Sequence, residues 1–296
     1  MKLFQTLIAI FSLATHLAVA SETWKVESLG SFEIDLNIPE MGGLSALAIT
    51  RFGKNFITLS DRGKYFQGTI DRNSSGLITN LNVLKTGSLL NSSGKALTGR
   101  NTDSESMTAT QKRGFYISFE SNDRIMFHKS LNAPGEFLPK HSDFKLFGRN
   151  RGLEAIAANS KGEIYAIPEA PPEGDSKYPI YKLVNDKWII SERFFQSNTF
   201  LVTDAVFLPD NSLLLLERDY NWGGFKMQLR VLTLDRDTIT GQNIIFSLDS
   251  GIYNYEGISI WQDKYENYYV TLISDNNFLP FVNSEVREFK LKKVNK

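Results

Sequence analysis

Carboxylates recur along this chain at nearly equal intervals and in nearly the same company. Asp103-Ser104-Glu105-Ser106-Met107, Arg151-Gly152-Leu153-Glu154-Ala155-Ile156, Val202-Thr203-Asp204-Ala205-Val206 and Asn254-Tyr255-Glu256-Gly257-Ile258 each set an acid before a small residue and a short apolar run. Gly42-Gly43-Leu44-Ser45-Ala46-Leu47 keeps that frame with serine in the acid's place. Positions 45, 105, 154, 204 and 256 lie 60, 49, 50 and 52 residues apart. A second acid follows each of them, at Asp61, Glu120, Glu169, Glu217 and Asp275, after 16, 15, 15, 13 and 19 residues. Carboxylates gathered in a weakly screened cavity repel one another until a proton, an arginine or a cation relieves them. A hard cation suits such a group, because Ca²⁺ takes several oxygen ligands.

The first set, Glu105, Glu154, Asp204 and Glu256, is therefore expected to hold a divalent cation, read as Ca²⁺, directly or through water. The second set is expected to position water or act as general base. Arg62, Arg151 and Arg218 stand beside these acids, and their guanidinium donors match the oxygens of a phosphate-like substrate. A structural alternative stands beside this: the acids cap backbone amides of neighbouring repeats, and the arginines make ion pairs between them.

The inventory narrows the chemistry. The chain has no cysteine, which removes disulfides, thiolate catalysis and Cys-ligated zinc. Its three histidines include His16 within an N-terminal apolar stretch, leaving His128 and His141, both expected to be exposed. A histidine-rich metal site or a Ser-His-Asp triad is nearly excluded, and Ser45 lacks the Gly-x-Ser-x-Gly elbow. The formal net charge of +0, with no long Lys/Arg run, argues against nucleic acid as a partner. Lys2, the apolar run from Leu3 to Leu17 and Ala18-Val19-Ala20 have the form of a cleaved secretory signal over residues 1–20. The expectation is a periplasmic or secreted protein, a single domain over 21–296 with no membrane span after cleavage, working as a monomer on a small-molecule substrate.

A period near 50 residues points to a solenoid or a propeller, in which each repeat is one supersecondary unit. Runs such as Phe56-Ile57-Thr58-Leu59-Ser60 and Ser212-Leu213-Leu214-Leu215-Leu216 read as strands, and turn formers such as Pro209-Asp210-Asn211 flank them. No window carries helical periodicity, so the class is all-β. Four strands fit each repeat: Glu105–Thr110, Gly114–Phe119, Arg124–His128 and Phe144–Phe147 in the second, and 154–158, 162–167, 179–184 and 187–195 in the third. The last repeat is one strand short at the C-terminus, and 25–36 offers the missing piece. The reading is a β-propeller of five four-stranded blades closed by an N-terminal strand in the last blade. Six blades is the alternative, because 71–103 is long enough to hide extra strands. Strands one and two run antiparallel, so both acid sets face one mouth.

Gly43-Leu44-Ser45-Ala46-Leu47, Ser60-Asp61-Arg62-Gly63, Asp103-Ser104-Glu105, Asn150-Arg151-Gly152-Leu153-Glu154-Ala155, Leu216-Glu217-Arg218-Asp219, Asn254-Tyr255-Glu256-Gly257 and Ile273-Ser274-Asp275-Asn276 together resemble the bacterial phytase-like family, named "esterase-like activity of phytase". The resemblance covers roughly residues 40 to 290. It implies export, an active site built from the repeated Glu and Asp residues, and hydrolysis of a phosphoester or ester. Two departures bear on it. Position 45 is serine, and the chain lacks the dense Lys/Arg clusters that suit a highly charged inositol polyphosphate, so a less charged phosphoester fits better. The alternatives are a non-catalytic propeller that captures a ligand or protein, and a calcium-dependent lactonase-like hydrolase.

Overall fold

The structure is a computed structural model that describes residues 22–34, 38, 40–110, 114–147, 151–279 and 281–295. The expected signal, residues 1–20, lies outside them. Twenty strands are described, in five four-stranded antiparallel sheets. Blade 1 holds β2 (Leu44–Thr50), β3 (Asn55–Ser60), β4 (Lys64–Arg72) and β5 (Ile78–Ser88). Blade 2 holds β6 (Ser104–Thr110), β7 (Gly114–Phe119), β8 (Arg124–His128) and β9 (Gly135–Phe137). Blade 3 runs β10 (Leu153–Ala158), β11 (Ile164–Pro168), β12 (Lys177–Val184) and β13 (Lys187–Phe195). Blade 4 runs β14 (Leu201–Phe207), β15 (Leu213–Asn221), β16 (Gly224–Asp235) and β17 (Thr238–Gly251). Blade 5 combines β18 (Asn254–Gln262), β19 (Tyr268–Asp275) and β20 (Ser284–Asn295) with β1 (Glu22–Ile34), in the order β1-β20-β19-β18.

The ring closes as expected. β1 pairs along β20 from Glu22↔Asn295 to Ile34↔Ser284, which covers an edge that would otherwise recruit another chain. The segment from Asp71 to Asp103 adds no sixth blade: it completes β4, forms β5 and ends in a one-turn 3-10 helix, Gly99–Asn101. One strand assignment is corrected. Residues 144–147 are not the fourth strand of blade 2; Ser142–Leu146 is a 3-10 turn whose Phe144 packs against Tyr181 and Trp188 of blade 3, and the short β9 takes the edge. His128 is also buried rather than exposed, its Nδ1 3.1 Å from the Ala133 carbonyl, and burial holds its pKa below the usual value.

The core is divided among the blade interfaces. Each strand sends alternate side chains to opposite faces, and both faces of a blade meet a neighbour. Leu214 and Leu216 of β15 enter the cluster shared with Ile258 and Leu272 of blade 5, while Leu213 and Leu215 enter the one shared with Ala155 and Tyr165 of blade 3. Comparable clusters join blades 5 and 1, 1 and 2, and 2 and 3. Such two-sided burial explains why strands like Leu213-Leu214-Leu215-Leu216 read as continuous apolar runs. At the axis, β2, β6, β10, β14 and β18 stand side by side.

Candidate functional site

Every first strand begins with a β-bulge. The register against strand two slips between Leu44 and Ala46, Ser104 and Met107, Leu153 and Ala155, Val202 and Asp204, and Tyr255 and Gly257. A bulge inserts an unpaired residue and re-aims its side chain. The residues at the bulges are Ser45, Glu105, Glu154, Thr203 and Glu256, so three blades present an acid to the mouth and two present a hydroxyl. Ser45 Oγ donates to the Ser104 carbonyl at 2.5 Å, and Thr203 Oγ1 lies 3.3 Å from the Tyr255 carbonyl. Each hydroxyl thus ties its blade to the next.

The structure places Asp204 one residue beyond the bulge, in register with Leu216. Its carboxylate, 2% exposed, accepts hydrogen bonds from Ser106 Oγ at 2.6 Å, Ala205 N at 2.8 Å and Ile258 N at 2.9 Å. Ser106 Oγ in turn accepts from Ile156 N at 3.1 Å. This network joins blades 2, 3, 4 and 5, and Asp204 is its hub. Burial nevertheless pushes its pKa up to about 8.

The same one-residue offset separates the second acids. Asp61, Glu120 and Glu169 occupy one position, with their amides donating to the carbonyls of Gly43, Asp103 and Gly152, and Asp275 pairs with Asn254 at the corresponding place. In blade 4 the residue in register at that position is Arg218, opposite Leu201. Glu217 points the other way, fully buried, where Arg230 and Gln228 hold it. Arg218 reaches into the mouth, with Nη2 2.8 Å from Glu169 Oε1 and Nη1 3.4 Å from Glu256 Oε1. These partners hold the guanidinium firmly protonated despite its burial.

The mouth that results is a ring of carboxylates with one embedded arginine. Glu105 and Glu154 are each 9% exposed, and neither accepts a hydrogen bond among the described residues. Their pKa values are held well above the usual range by burial first, then by neighbouring acids. Glu256 and Glu169 are raised too, chiefly by burial and against the pull of Arg218. Burial and nearby acids bring Asp61 to about 6 and Asp275 to about 8, and burial brings Glu120 to about 7 although Gly152 N donates to it at 3.0 Å. Oxygens of Asp103, Glu105 and Glu120 all lie within 4.8 Å of one another. Such an oxygen-only donor set, with the undonated and buried Glu154 beside it, fits a hard cation.

Asp103 has no role among the residues first assigned. Its signal is the Asp103-x-Glu105 spacing, which puts two side chains on one face of an extended chain; Asn254-x-Glu256 repeats it, with Asn254 Nδ2 donating to Glu256 Oε1 at 2.6 Å. Arg62 and Arg151 are exposed at the mouth, and the Arg62 guanidinium lies 3.3 Å over the Phe278 ring. Gly43 is there for room: its φ is +61°, and a Cβ would sit 2.2 Å from Asp61 Oδ1 and 2.5 Å from the Phe278 ring.

The sequence model of the phytase-like family, described as esterase-like activity of phytase, matches residues 39–278. The chain belongs to that family. No match is found among the curated proteins. Solved structures similar to this phytase-like chain include virginiamycin B lyase from Staphylococcus aureus, 10% identical, with 92% of this chain and 74% of that chain covered and a TM-score of 0.43. A protein of unknown function from Dyadobacter fermentans is 11% identical over 90% of this chain and 99% of that one, with a TM-score of 0.47. A gluconolactonase from Xanthomonas campestris is 8% identical over 83% and 72%, with a TM-score of 0.43. At this likeness none of them carries an argument about what the phytase-like chain does.

Proposed function

We propose that this phytase-like chain is an exported, metal-dependent phosphoesterase whose site is the acidic mouth. The observation that carries the reading is the convergence of Asp103, Glu105 and Glu120 beside the undonated Glu154. Asp103, Glu105 and Glu120 would hold a divalent cation, Ca²⁺ by the chemistry of the donors, with Glu154 and Glu256 adjoining. A cation there would offset the charge of phosphoryl oxygens and polarise the phosphorus they surround. Arg62 and Arg151, exposed at the mouth, bind the substrate's remaining oxygens. Arg218, clamped between Glu169 and Glu256, sets the positions of those two acids. Asp61 or Asp275 takes the proton from the attacking water, since burial has moved both toward neutral pH. Asp204 and Glu217 serve the ring's cohesion. Export follows from the signal-like residues 1–20, to the periplasm or the medium. We read the protein as a monomer with no nucleic-acid partner.

The test is phosphate release from a panel of small phosphomonoesters after EDTA treatment and after Ca²⁺ is restored. Expected are loss and recovery of turnover, and a fall of roughly 100-fold or more in Glu105→Gln. Ca²⁺ binding without turnover on any ester would leave a non-catalytic binding propeller, and turnover confined to sugar lactones would make it a lactonase.

A further inference from the structure

The turns after the first strands lie at the opposite end of the blades from the acids, about 20 Å away by the rise of a seven-residue strand. There a cavity of about 550 Å³ opens at the seam between blades 1 and 5, within the range of small-molecule sites. Blade 1 supplies Phe52 and Arg72, and blade 5 supplies Trp261, Tyr265 and Tyr269.

Its floor is rigid. The Trp261 and Tyr269 rings stack with centroids 4.2 Å apart and 11° between planes, and Trp261 Nε1 donates to Thr271 Oγ1 at 2.9 Å. Arg72 donates to Glu288 through two bonds of 2.5 and 2.8 Å and to the carbonyls of Gly53 and Gly76, with its guanidinium carbon 4.8 Å from the centre of the Trp261 ring. Gly53 lets the ring lie against the backbone, because a Cβ there would meet it at 2.5 Å. The rim, by contrast, leaves apolar rings in water: Phe52 is 64% exposed and Tyr265 72%. Phe52 also holds a φ of +58°, costly for a bulky side chain and kept where the surroundings impose it.

The charge is one-sided. Lys54, Lys264 and Lys290 line the cavity, and none makes an ion pair among the described residues. Lys264 and Lys290 instead lie 4.8 Å and 6.0 Å over the rings of Tyr265 and Tyr269. Asp263, the lining carboxylate, is taken up by its own turn, accepting from the amides of Tyr265 and Asn267, from Asn267 Nδ2 and from Tyr269 OH.

We propose that this cavity is a second ligand site, for a small aromatic anion. Its ring lies between the exposed rings of Phe52 and Tyr265, against the edge of the Trp261–Tyr269 stack, and its acidic group meets the three lysines. The site is independent of the acidic mouth. It is tested on the full-length protein with 2-naphthalenesulfonate as probe and uncharged 2-naphthalenemethanol as control, by calorimetry and quenching of tryptophan fluorescence. The sulfonate should bind one to one, and Lys54→Gln/Lys264→Gln/Lys290→Gln should weaken it about tenfold while leaving the alcohol unchanged. Tyr265→Ala should weaken both, and Glu154→Gln neither. Absence of sulfonate binding, equal binding of the two probes, or sulfonate binding that survives the triple substitution in a protein with unchanged circular dichroism would overturn the proposal.

Discussion

Glu217 and Arg218 are neighbours in sequence with opposite surroundings, because successive side chains of a strand leave by opposite faces. Arg218 faces the wet mouth and holds two acids there. Glu217 faces the dry interior, where Arg230 supplies both its charge partner and two of its hydrogen bonds. Removing one member of a buried pair strands the other without a partner, at a cost of about 3–5 kcal/mol. Glu217→Ala should therefore lower the urea midpoint strongly, and adding Arg230→Met should restore part of the loss. Glu105→Gln should behave in the other sense: it removes a buried, undonated carboxyl whose ionisation burial and the neighbouring acids oppose, and the metal-free protein should be at least as resistant to urea as wild type.

At the level of the strand, the bulges and the closing strand organise the ring. Five bulges at equivalent places turn one residue per blade toward the axis, and β1 supplies the fourth strand of blade 5. A variant lacking Glu22–Ile34 leaves the backbone of β20 open and uncovers part of the cluster around Phe289 and Leu291 that Trp24 covers. Its thermal midpoint should fall, and it should associate through the exposed edge, visible as larger species in size-exclusion chromatography. Blade count, strand order and the closing role of the N-terminal segment were legible in the sequence, because apolar runs and turn residues recur with the period. The phase within blade 4 was not. Matching acid to acid aligns Asp204 with Glu154 and Glu217 with Glu169, whereas the register aligns Thr203 and Arg218 with them. A slip of one residue exchanges the faces of a strand, and residue type alone does not reveal where a bulge inserts.

For the whole molecule, the acids impose a pH dependence. Asp61 and Glu120 lie at about 6 and about 7, and Asp204 and Asp275 at about 8. On unfolding each returns to the ordinary carboxyl range near 4. Between these limits the folded state binds more protons than the unfolded one, so stability is fullest at the acid end and declines as pH rises from about 4 to about 8. Thermal unfolding in EDTA across that window should show this falling midpoint. Excess Ca²⁺ should raise the midpoint most at the alkaline end and flatten the slope, since a cation that binds only the folded state takes the place of the protons. An unchanged slope with Ca²⁺ would count against a cation among these acids.

The sequence by itself determined that the chain repeats, that each repeat is a four-stranded β unit, and that the repeated acids fall at one end of the blades' strands. Those properties follow from periodicity, strand patterning and the antiparallel run of neighbouring strands, all of which are local. Only the tertiary structure decided which periodic acids share the mouth. It brought Asp103 to Glu105 and Glu120, buried Asp204 as a bond between blades, turned Glu217 inward and set Arg218 in its place. The physical reason is that a bulge shifts a strand by one residue, and the packing of the neighbouring blade selects which side chain then meets water.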